Sequence, residues 1–158
     1  MKKLLLSATV CIVLLTGCIK TEAPGGVESK ALVNEWWITV TVAGNDILGG
    51  HVAFTTYNSA VLNQDSIWVD DLGHFWNFKV KAAADFKALT FATTDAQNEN
   101  YDSKVTLTNG KILPNAGHSK TGNITDSIYV EAKFNDDPDN LTYVISGTAR
   151  TFRAEDDY

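Results

Sequence analysis

Cys18 carries the clearest chemical signal in the sequence. It ends the tetrapeptide Leu15-Thr16-Gly17-Cys18, which has the pattern of a lipobox, the recognition site of bacterial lipoprotein signal peptidase. The basic residues Lys2 and Lys3 and an apolar run precede it, as in a secretory signal. The run is shorter than the ~20 apolar residues that a spanning helix needs. We therefore expect residues 1–17 to be a lipoprotein signal peptide and Cys18 to be lipidated.

Hydrolytic chemistry would need a base, and the sequence offers His51, His74 and His118. The chain contains no G-x-S-x-G nucleophile elbow, and its strand-rich pattern lacks the strand-turn-helix setting that this motif requires. His118-Ser119 and Asp126 fall in or beside one predicted loop, and a catalytic triad is defined by geometry rather than by order in the chain. The sequence therefore leaves the catalytic residues unknown and keeps a hydrolase as an alternative.

Two acidic stretches could bind or activate a ligand. The neighbours Asp70 and Asp71 would point to opposite faces of a strand, which makes them a poor acid–base pair, so we expect them to end a strand. Segment 136–140 collects oxygen ligands suited to calcium, but it lacks the closing glutamate of a calcium loop and has the composition of a turn. Cys11 leaves with the signal peptide and Cys18 takes the lipid, so the mature domain has no thiol for catalysis or zinc. We expect no metal and no cofactor.

The charge and length of the chain restrict its partners and its architecture. Without the signal peptide, 11 basic residues face 19 acidic ones, which gives a net charge of −8 over 141 residues. Such a domain repels phosphate backbones, so nucleic-acid binding is not expected, and the membrane would be reached through acyl chains. We expect a flexible lipidated tether at residues 18–30, which contains Pro24 and two glycines, and one folded domain at residues 31–158.

From residue 35 onward, apolar and polar residues alternate with a period of two, which is typical of half-buried strands. The predicted strands are 35–42, 51–57, 66–69, 75–81, 87–93, 104–108, 111–113, 127–135 and 141–152. Asn109-Gly110 predicts a two-residue hairpin, since both residues tolerate positive φ. Residues 82–85 suggest a helical turn, residues 94–103 and 114–125 suggest polar loops, and the acidic C-terminus is expected to fray.

Eight or nine short strands joined by turn-rich connections, with no convincing helix, predict an all-β fold. Regular strand spacing of this kind is typical of a sandwich or a barrel. Eight antiparallel strands can close into a barrel that holds a small ligand, and closure also removes the exposed edges. We therefore predict an antiparallel eight-stranded β-barrel, with a β-sandwich as the alternative.

Large side chains on alternate strand positions are expected to share the interior of this fold. The predicted ligand-binding residues are Trp36, Phe54, Trp76, Phe78 and Tyr143. A hollow barrel would bind an apolar ligand among them, as in pockets that are lined mainly by apolar groups. A filled barrel would use the same side chains as its core. The sequence leaves both alternatives open.

Several segments occur in an order that is similar to that of a known family. They are Asn34-Glu35-Trp36-Trp37, Tyr57-Asn58-Ser59-Ala60, Asp65-Ser66-Ile67-Trp68, Phe75-Trp76-Asn77-Phe78-Lys79-Val80, Thr125-Asp126-Ser127-Ile128 and Ile145-Ser146-Gly147. Through them, nearly the whole mature chain resembles the bacterial lipoprotein family called lipid-binding putative hydrolase. The resemblance implies a lipocalin-like barrel on a lipid anchor. The family name joins a binding function and an enzymatic function, and the motifs assign residues to neither.

These observations predict a membrane-anchored lipoprotein of the cell envelope whose barrel binds a small lipid-like or apolar ligand by burial, without covalent chemistry. The residue after Cys18 is Ile19 rather than an aspartate, which by analogy with enterobacterial sorting favours the outer membrane. The alternatives are a hydrolase of lipid or glycan esters and a structural or accessory lipoprotein with a packed core.

Overall fold

The computed structural model of the protein describes residues 28–59 and 65–158. The predicted signal peptide, the predicted lipidation site Cys18 and most of the predicted tether lie outside the described residues. The last tether positions belong to a short 3₁₀ helix, Glu28–Leu32, whose residue Leu32 is fully buried. None of the helical segments in the described residues has the length and apolar character that crossing a lipid bilayer requires.

Nine strands follow in the described part of the chain. They are β1 (Asn34–Val42), β2 (Asn45–Asp46), β3 (Val52–Asn58), β4 (Ser66–Asp70), β5 (Lys79–Asp85), β6 (Thr90–Gln97), β7 (Lys104–His118), β8 (Ile124–Phe134) and β9 (Tyr143–Ala149). Each of the strands β3 to β9 pairs antiparallel with two neighbours, β1 pairs with β2, β3 and β9, and β2 is a two-residue extension beside the end of β1. Short strands of alternating polarity thus assemble into a single antiparallel sheet.

The sheet closes on itself because β1 pairs with both β3 and β9. Trp36 of β1 lies opposite Phe54 of β3 on one side and opposite Ala149 of β9 on the other. The result is a closed eight-stranded antiparallel barrel built from every strand except β2. The prediction of an all-β, lipocalin-like barrel is confirmed, and the β-sandwich alternative is not the observed architecture.

The inner face of the barrel follows the predicted alternation. In β1, Trp36, Ile38 and Val40 are at most 2% exposed, while the residues between them are partly exposed. In β8, Ile128 and Val130 are fully buried in the same way. Burial of one large apolar side chain contributes about 1.5–3 kcal/mol relative to leaving it in water. The hydrophobic interior is therefore the main source of stability.

Gly147 marks the closest approach of two strands in the closing seam. A Cβ atom at this position would lie 2.0 Å from the carbonyl oxygen of Trp37 and 2.7 Å from the Cα of Ile38. No side chain fits there, because both obstacles are backbone atoms of β1. The seam between β1 and β9 therefore requires glycine at this position.

Strand β5 departs from the sequence prediction. The predicted strand 75–81 is confirmed only at 79–81 and the predicted helical turn 82–85 is wrong, because β5 begins at Lys79 and continues to Asp85. Residues 75–78 belong to the connection that follows β4, and Asn77 has a φ of 53° in that connection. Trp76, Phe78 and Val80 occur at every second residue, which is the spacing of a strand. Apolar residues in an irregular loop can show the same spacing, so the pattern does not distinguish the two.

Strand β7 also departs from the prediction, since it runs through the expected hairpin at Asn109-Gly110. Asn109 has the expected positive φ of 55°, but it forms a bulge at which the register with β6 and β8 shifts. Strand β7 continues to His118, and β8 begins at Ile124. Most of the predicted loop 114–125 is therefore strand. The predicted loop 94–103 likewise begins only after Gln97, where β6 ends. Positive φ is required by bulges as well as by hairpins.

The sequence predicts that the C-terminal segment frays, and this prediction is wrong. The segment is bound to the barrel. A second 3₁₀ helix, Ala154–Asp156, places the carboxylate of Asp156 at 2% exposure. This carboxylate accepts hydrogen bonds from the Thr121 hydroxyl at 2.6 Å and the Thr151 hydroxyl at 2.7 Å. Asp157 forms a bidentate pair with the Arg150 guanidinium, with N–O distances of 2.8 and 2.9 Å.

Candidate ligand-binding site at the aromatic end of the barrel

Four aromatic rings meet at one end of the barrel, where the β4–β5, β6–β7 and β8–β9 connections converge. We call this cluster of Phe75, Trp76, Phe134 and Tyr143 the aromatic end. Trp76 stacks on Phe134, with ring centroids 4.6 Å apart and planes 10° apart. Phe75 meets Tyr143 edge to face at 5.0 Å and Phe134 at 5.7 Å. Phe134 and Tyr143 belong to β8 and β9, whereas Phe75 and Trp76 belong to the β4–β5 connection.

The β4–β5 connection is organised by one carboxylate. Asp71, which is 2% exposed, follows the last residue of β4. Its two oxygens accept four backbone N–H groups, at distances of 2.7 to 3.2 Å, from Gly73, Phe75, Trp76 and Phe78. Because a carboxylate can accept several hydrogen bonds, it holds a whole irregular loop that has no ladder partner. Asp71 therefore fixes the loop that carries Phe75 and Trp76 across the end of the barrel.

The loop after β8 supplies carboxylates to the polar edges of the aromatic rings. The indole N–H of Trp76 donates to Asp136 Oδ1 at 3.1 Å, and the Tyr101 hydroxyl donates to Asp136 Oδ2 at 2.6 Å. The Tyr143 hydroxyl donates to Asp137 Oδ2 at 3.2 Å. The aromatic end is therefore apolar inside and hydrogen-bonded at its rim.

These contacts shift the acidity of the groups involved. Burial, followed by the hydrogen bond to Asp137, raises the pKa of Tyr143, and burial together with Asp136 raises the pKa of Tyr101. Burial opposes ionisation of Asp137, but the N–H groups of Leu141 and Asp139 and the Tyr143 hydroxyl together hold its pKa below the usual range. At neutral pH the two tyrosines are neutral donors and Asp137 is a charged acceptor.

The structure divides the five predicted ligand-binding residues between two regions. Trp76 and Tyr143 belong to the aromatic end, and Phe78 lies directly beneath it, with its ring 5.4 Å from that of Phe134. Phe54 extends the aromatic contacts inward, 6.2 Å from Phe78. Trp36 makes a different contact, since its indole N–H donates to Thr56 Oγ1 at 2.9 Å.

Exposure separates the same residues further. Phe78 is fully buried, and Trp36 and Phe54 are each 1% exposed. A side chain that lined a cavity large enough for a ligand would expose surface to a water-sized probe, so these three residues act as core in this conformation. Trp76 is half-buried. Ligand binding by the five residues stays a prediction, and Trp76 is the member of the set most accessible from solution.

Sequence reasoning missed three contributors to the aromatic end. Phe75 and Phe134 are not among the predicted ligand-binding residues, because the sequence predicts a strand over 75–81 where the chain forms a loop and does not show that this loop meets the end of β8. Asp71 was assigned only to a strand end. The segment Asp71-Leu72-Gly73 did carry a usable signal, since an aspartate that begins a glycine turn often accepts backbone N–H groups further along the chain.

The three histidines lie apart from a catalytic arrangement. His51 stacks on Tyr158 with ring centroids 3.9 Å apart, while His74 and His118 are exposed. Asp126 Oδ1 accepts the backbone N–H of Asn115, and no hydrogen bond between described residues involves a histidine ring. Residues 28–59 and 65–158 contain no group of three or more His, Cys, Asp or Glu side chains that could hold a metal ion.

A closed eight-stranded barrel with an aromatic cluster at one end places the protein in the class of lipocalin-like β-barrels. A family model described as "Lipid-binding putative hydrolase" matches residues 21–152 of the chain, which covers the whole barrel. The protein belongs to this family. A comparison with curated proteins found no match. Family and fold together are consistent with a lipid-binding role.

Proposed function

We propose that the protein is a lipid-anchored lipoprotein of the outer membrane whose barrel binds a small lipid-like or apolar ligand at the aromatic end. The observation that supports this most directly is that two of the four rings belong to a loop rather than to a strand. Phe75 and Trp76 cover the end of the barrel from a connecting loop, so they can move without breaking any strand pairing. The fully buried strand residues below them, by contrast, cannot be reached without opening the barrel.

On this proposal, the ligand replaces ring contacts rather than filling an empty space. An apolar chain enters between Trp76 and Phe134, and its burial offsets the lost stacking, since apolar area removed from water contributes roughly 25 cal/mol per Å². Tyr143 and Asp136 remain at the rim, where their polar atoms can meet the head of an amphiphilic ligand. No covalent step is involved.

The anchor rests on the sequence pattern around Cys18. Acylation of this cysteine would hold the barrel at a membrane without a basic patch, in agreement with the acidic composition. The test is metabolic labelling of the full-length protein with a clickable palmitate analogue, followed by separation of membrane and soluble fractions. We expect label and membrane association in the natural protein and neither in Cys18→Ser; labelled Cys18→Ser would contradict the assignment.

The ligand is tested on residues 19–158, which retain the complete barrel. Native mass spectrometry with organic extraction should reveal a co-purifying lipid at one copy per chain. Trp76→Ala should lose that lipid, while Trp68→Ala, on the outer face of β4, should retain it. Both variants should keep their far-UV circular dichroism. Equal lipid retention by Trp76→Ala and Trp68→Ala would refute binding at the aromatic end, and a consistently lipid-free mass would favour the packed structural barrel.

A further inference from the structure

A second concave surface lies on the outer wall of the barrel, toward the end opposite the aromatic cluster. It is a groove of about 770 Å³ over the end of β5, the start of β6 and the middle of β7 and β8. This size suits one small ligand, since ligand pockets typically measure about 300–1,000 Å³. We call it the wall groove, and it shares no residue with the aromatic end.

Small residues on two adjacent strands create the depression. Ala83 of β5 lies opposite Ala92 of β6, and both are exposed. The floor is therefore low because no side chain larger than a methyl group stands on it. Gly110 of β7 lies opposite Phe91, and its missing side chain leaves room for the buried Phe91 ring on the inner face, which a Cβ atom would approach within 2.7 Å.

The bulge in β7 lies at the edge of this floor and aims a side chain across it. Between Thr108 and Lys111 the register with β8 shifts, and Asn109 takes a φ of 55° there. Its amide donates to Glu131 Oε2 at 3.0 Å, and the Tyr129 hydroxyl donates to Glu131 Oε1 at 2.7 Å. Bulges are frequent beside binding sites because they redirect side chains.

The rim offers both hydrogen-bond donors and acceptors. The Lys111 ammonium lies 5.1 Å from the centre of the Tyr129 ring and forms no salt bridge with any described residue, so its N–H donors remain available. Asp65, Asp85 and Glu131 also line the groove and carry carboxylates, of which that of Asp85 accepts the backbone N–H groups of Lys87 and Ala88. The Tyr129 hydroxyl, followed by the Asn109 amide, lowers the pKa of Glu131, so this group is charged at neutral pH.

The charge balance of this rim selects a class of ligand. Three carboxylates against one ammonium repel an anion, and an apolar chain would have to desolvate all four charges, which is costly. A neutral, hydroxyl-rich molecule can donate to the carboxylates and accept from Lys111. Its C–H face can lie on the alanine floor. We propose that the wall groove binds a neutral saccharide, either free or as the headgroup of a glycolipid.

The test uses ¹⁵N-labelled protein of residues 19–158, titrated by NMR with maltose, cellobiose, lactose and chitobiose. We expect at least one of them to shift the amide signals of Ala83, Ala92 and Lys111 at millimolar concentration. Ala92→Leu fills the groove with a side chain and should abolish the shifts. Ala116→Leu, an equal change at an exposed position of the same strand as Lys111, should leave them intact. Lys111→Met should raise the dissociation constant roughly tenfold, on the scale of a lost hydrogen bond to a charged group.

Two further arms distinguish the sources of the sugar and the competing chemistry. Nanodiscs of phosphatidylcholine with and without 10% galactosyl-diacylglycerol should bind the unlipidated protein of residues 19–158 equally if the ligand is a free saccharide. If the ligand is a headgroup, the two kinds of disc should bind it unequally, and Ala92→Leu should remove the difference. The proposal is overturned if no saccharide and no glycolipid disc produces amide shifts that Ala92→Leu removes. It is also overturned if the cation spermidine is the sole probe that produces such shifts. Retention of the co-purifying lipid by Ala92→Leu would show that the wall groove and the aromatic end act independently.

Discussion

The carboxylate of Asp71 is expected to control the order of the loop that covers the aromatic end. Asp71→Asn keeps one acceptor oxygen and replaces the other with an N–H₂ group. Two of the four backbone N–H groups therefore lose their partner and face a donor instead. Hydrogen bonds to charged groups contribute about 1.5–3 kcal/mol each, but the opened loop can rebind water, so we expect a loss of roughly 2–3 kcal/mol in the free energy of unfolding.

The matched control is Asp70→Asn, one residue earlier. Within residues 28–59 and 65–158, Asp70 accepts hydrogen bonds from the N–H of Leu72 at 2.8 Å and the Tyr57 hydroxyl at 3.3 Å, and it is half-exposed, so the loss for Asp70→Asn should stay below about 1 kcal/mol. Urea unfolding monitored by circular dichroism measures both values. Hydrogen exchange should show faster exchange of the Trp76 and Phe78 amides in Asp71→Asn, with β8 unchanged. If the two variants unfold at the same urea concentration, Asp71 does not organise the loop.

Three further predictions concern the barrel itself. Gly147→Ala should destabilise the protein by at least the upper end of the ~1–3 kcal/mol typical of overpacking, whereas Ser146→Ala should be nearly neutral, as measured by thermal unfolding. Trp36→Phe removes one buried hydrogen bond to a hydroxyl and part of a buried ring, so in urea unfolding it should cost more than the about 1 kcal/mol of the hydrogen bond alone; no loss would show that the indole N–H is not needed. The Thr121 hydroxyl holds the pKa of Asp156 well below the usual range, so its stabilisation is present above the unfolded value near 3.9 and is lost as the pH falls further. Asp156→Asn should therefore lower stability at pH 7 and flatten its decline between about pH 5 and pH 2.5, unlike Glu155→Gln.

The strands and their buried faces could be predicted because they follow from local alternation, whereas closure depends on the long-range pairing of β1 with β9. The apolar positions of β1 and β8 occur at every second residue, and a strand that repeats this pattern can bury only one face. Elements whose shape depends on distant partners could not be predicted. The bulge at Asn109 and a hairpin at the same dipeptide need the same φ, and only the neighbouring strands β6 and β8 decide between them. The C-terminal segment is ordered by Thr121 and Arg150, which no local pattern reveals.

The candidate site was predictable in part for a similar reason. Phe54 and Tyr143 lie on strands, and their inward direction follows from alternation. The contribution of Phe75 depends on a loop that Asp71 folds back over the barrel, and this loop has no period to recognise. Trp36 fits the pattern of an inward aromatic residue equally well, yet it pairs with Thr56 away from the cluster. Composition and period identify apolar residues, but they do not say which of them share one end.

The aromatic end can open by movement of the two rings that belong to the β4–β5 connection. Asp71 and all four of its N–H donors belong to one segment, so that network can stay intact while the rings of Phe75 and Trp76 swing outward. Such a movement sacrifices four ring contacts with Phe134 and Tyr143, each worth about 0.5–1.5 kcal/mol, or roughly 2–6 kcal/mol in total. An opening of that cost is rare in the free protein, and a ligand that restores the same apolar contacts can stabilise it. In a lipid complex we therefore expect the Trp76 and Phe78 amides to keep their protection from hydrogen exchange while the Trp76 side-chain signal shifts; loss of both would mean that the loop unfolds on binding.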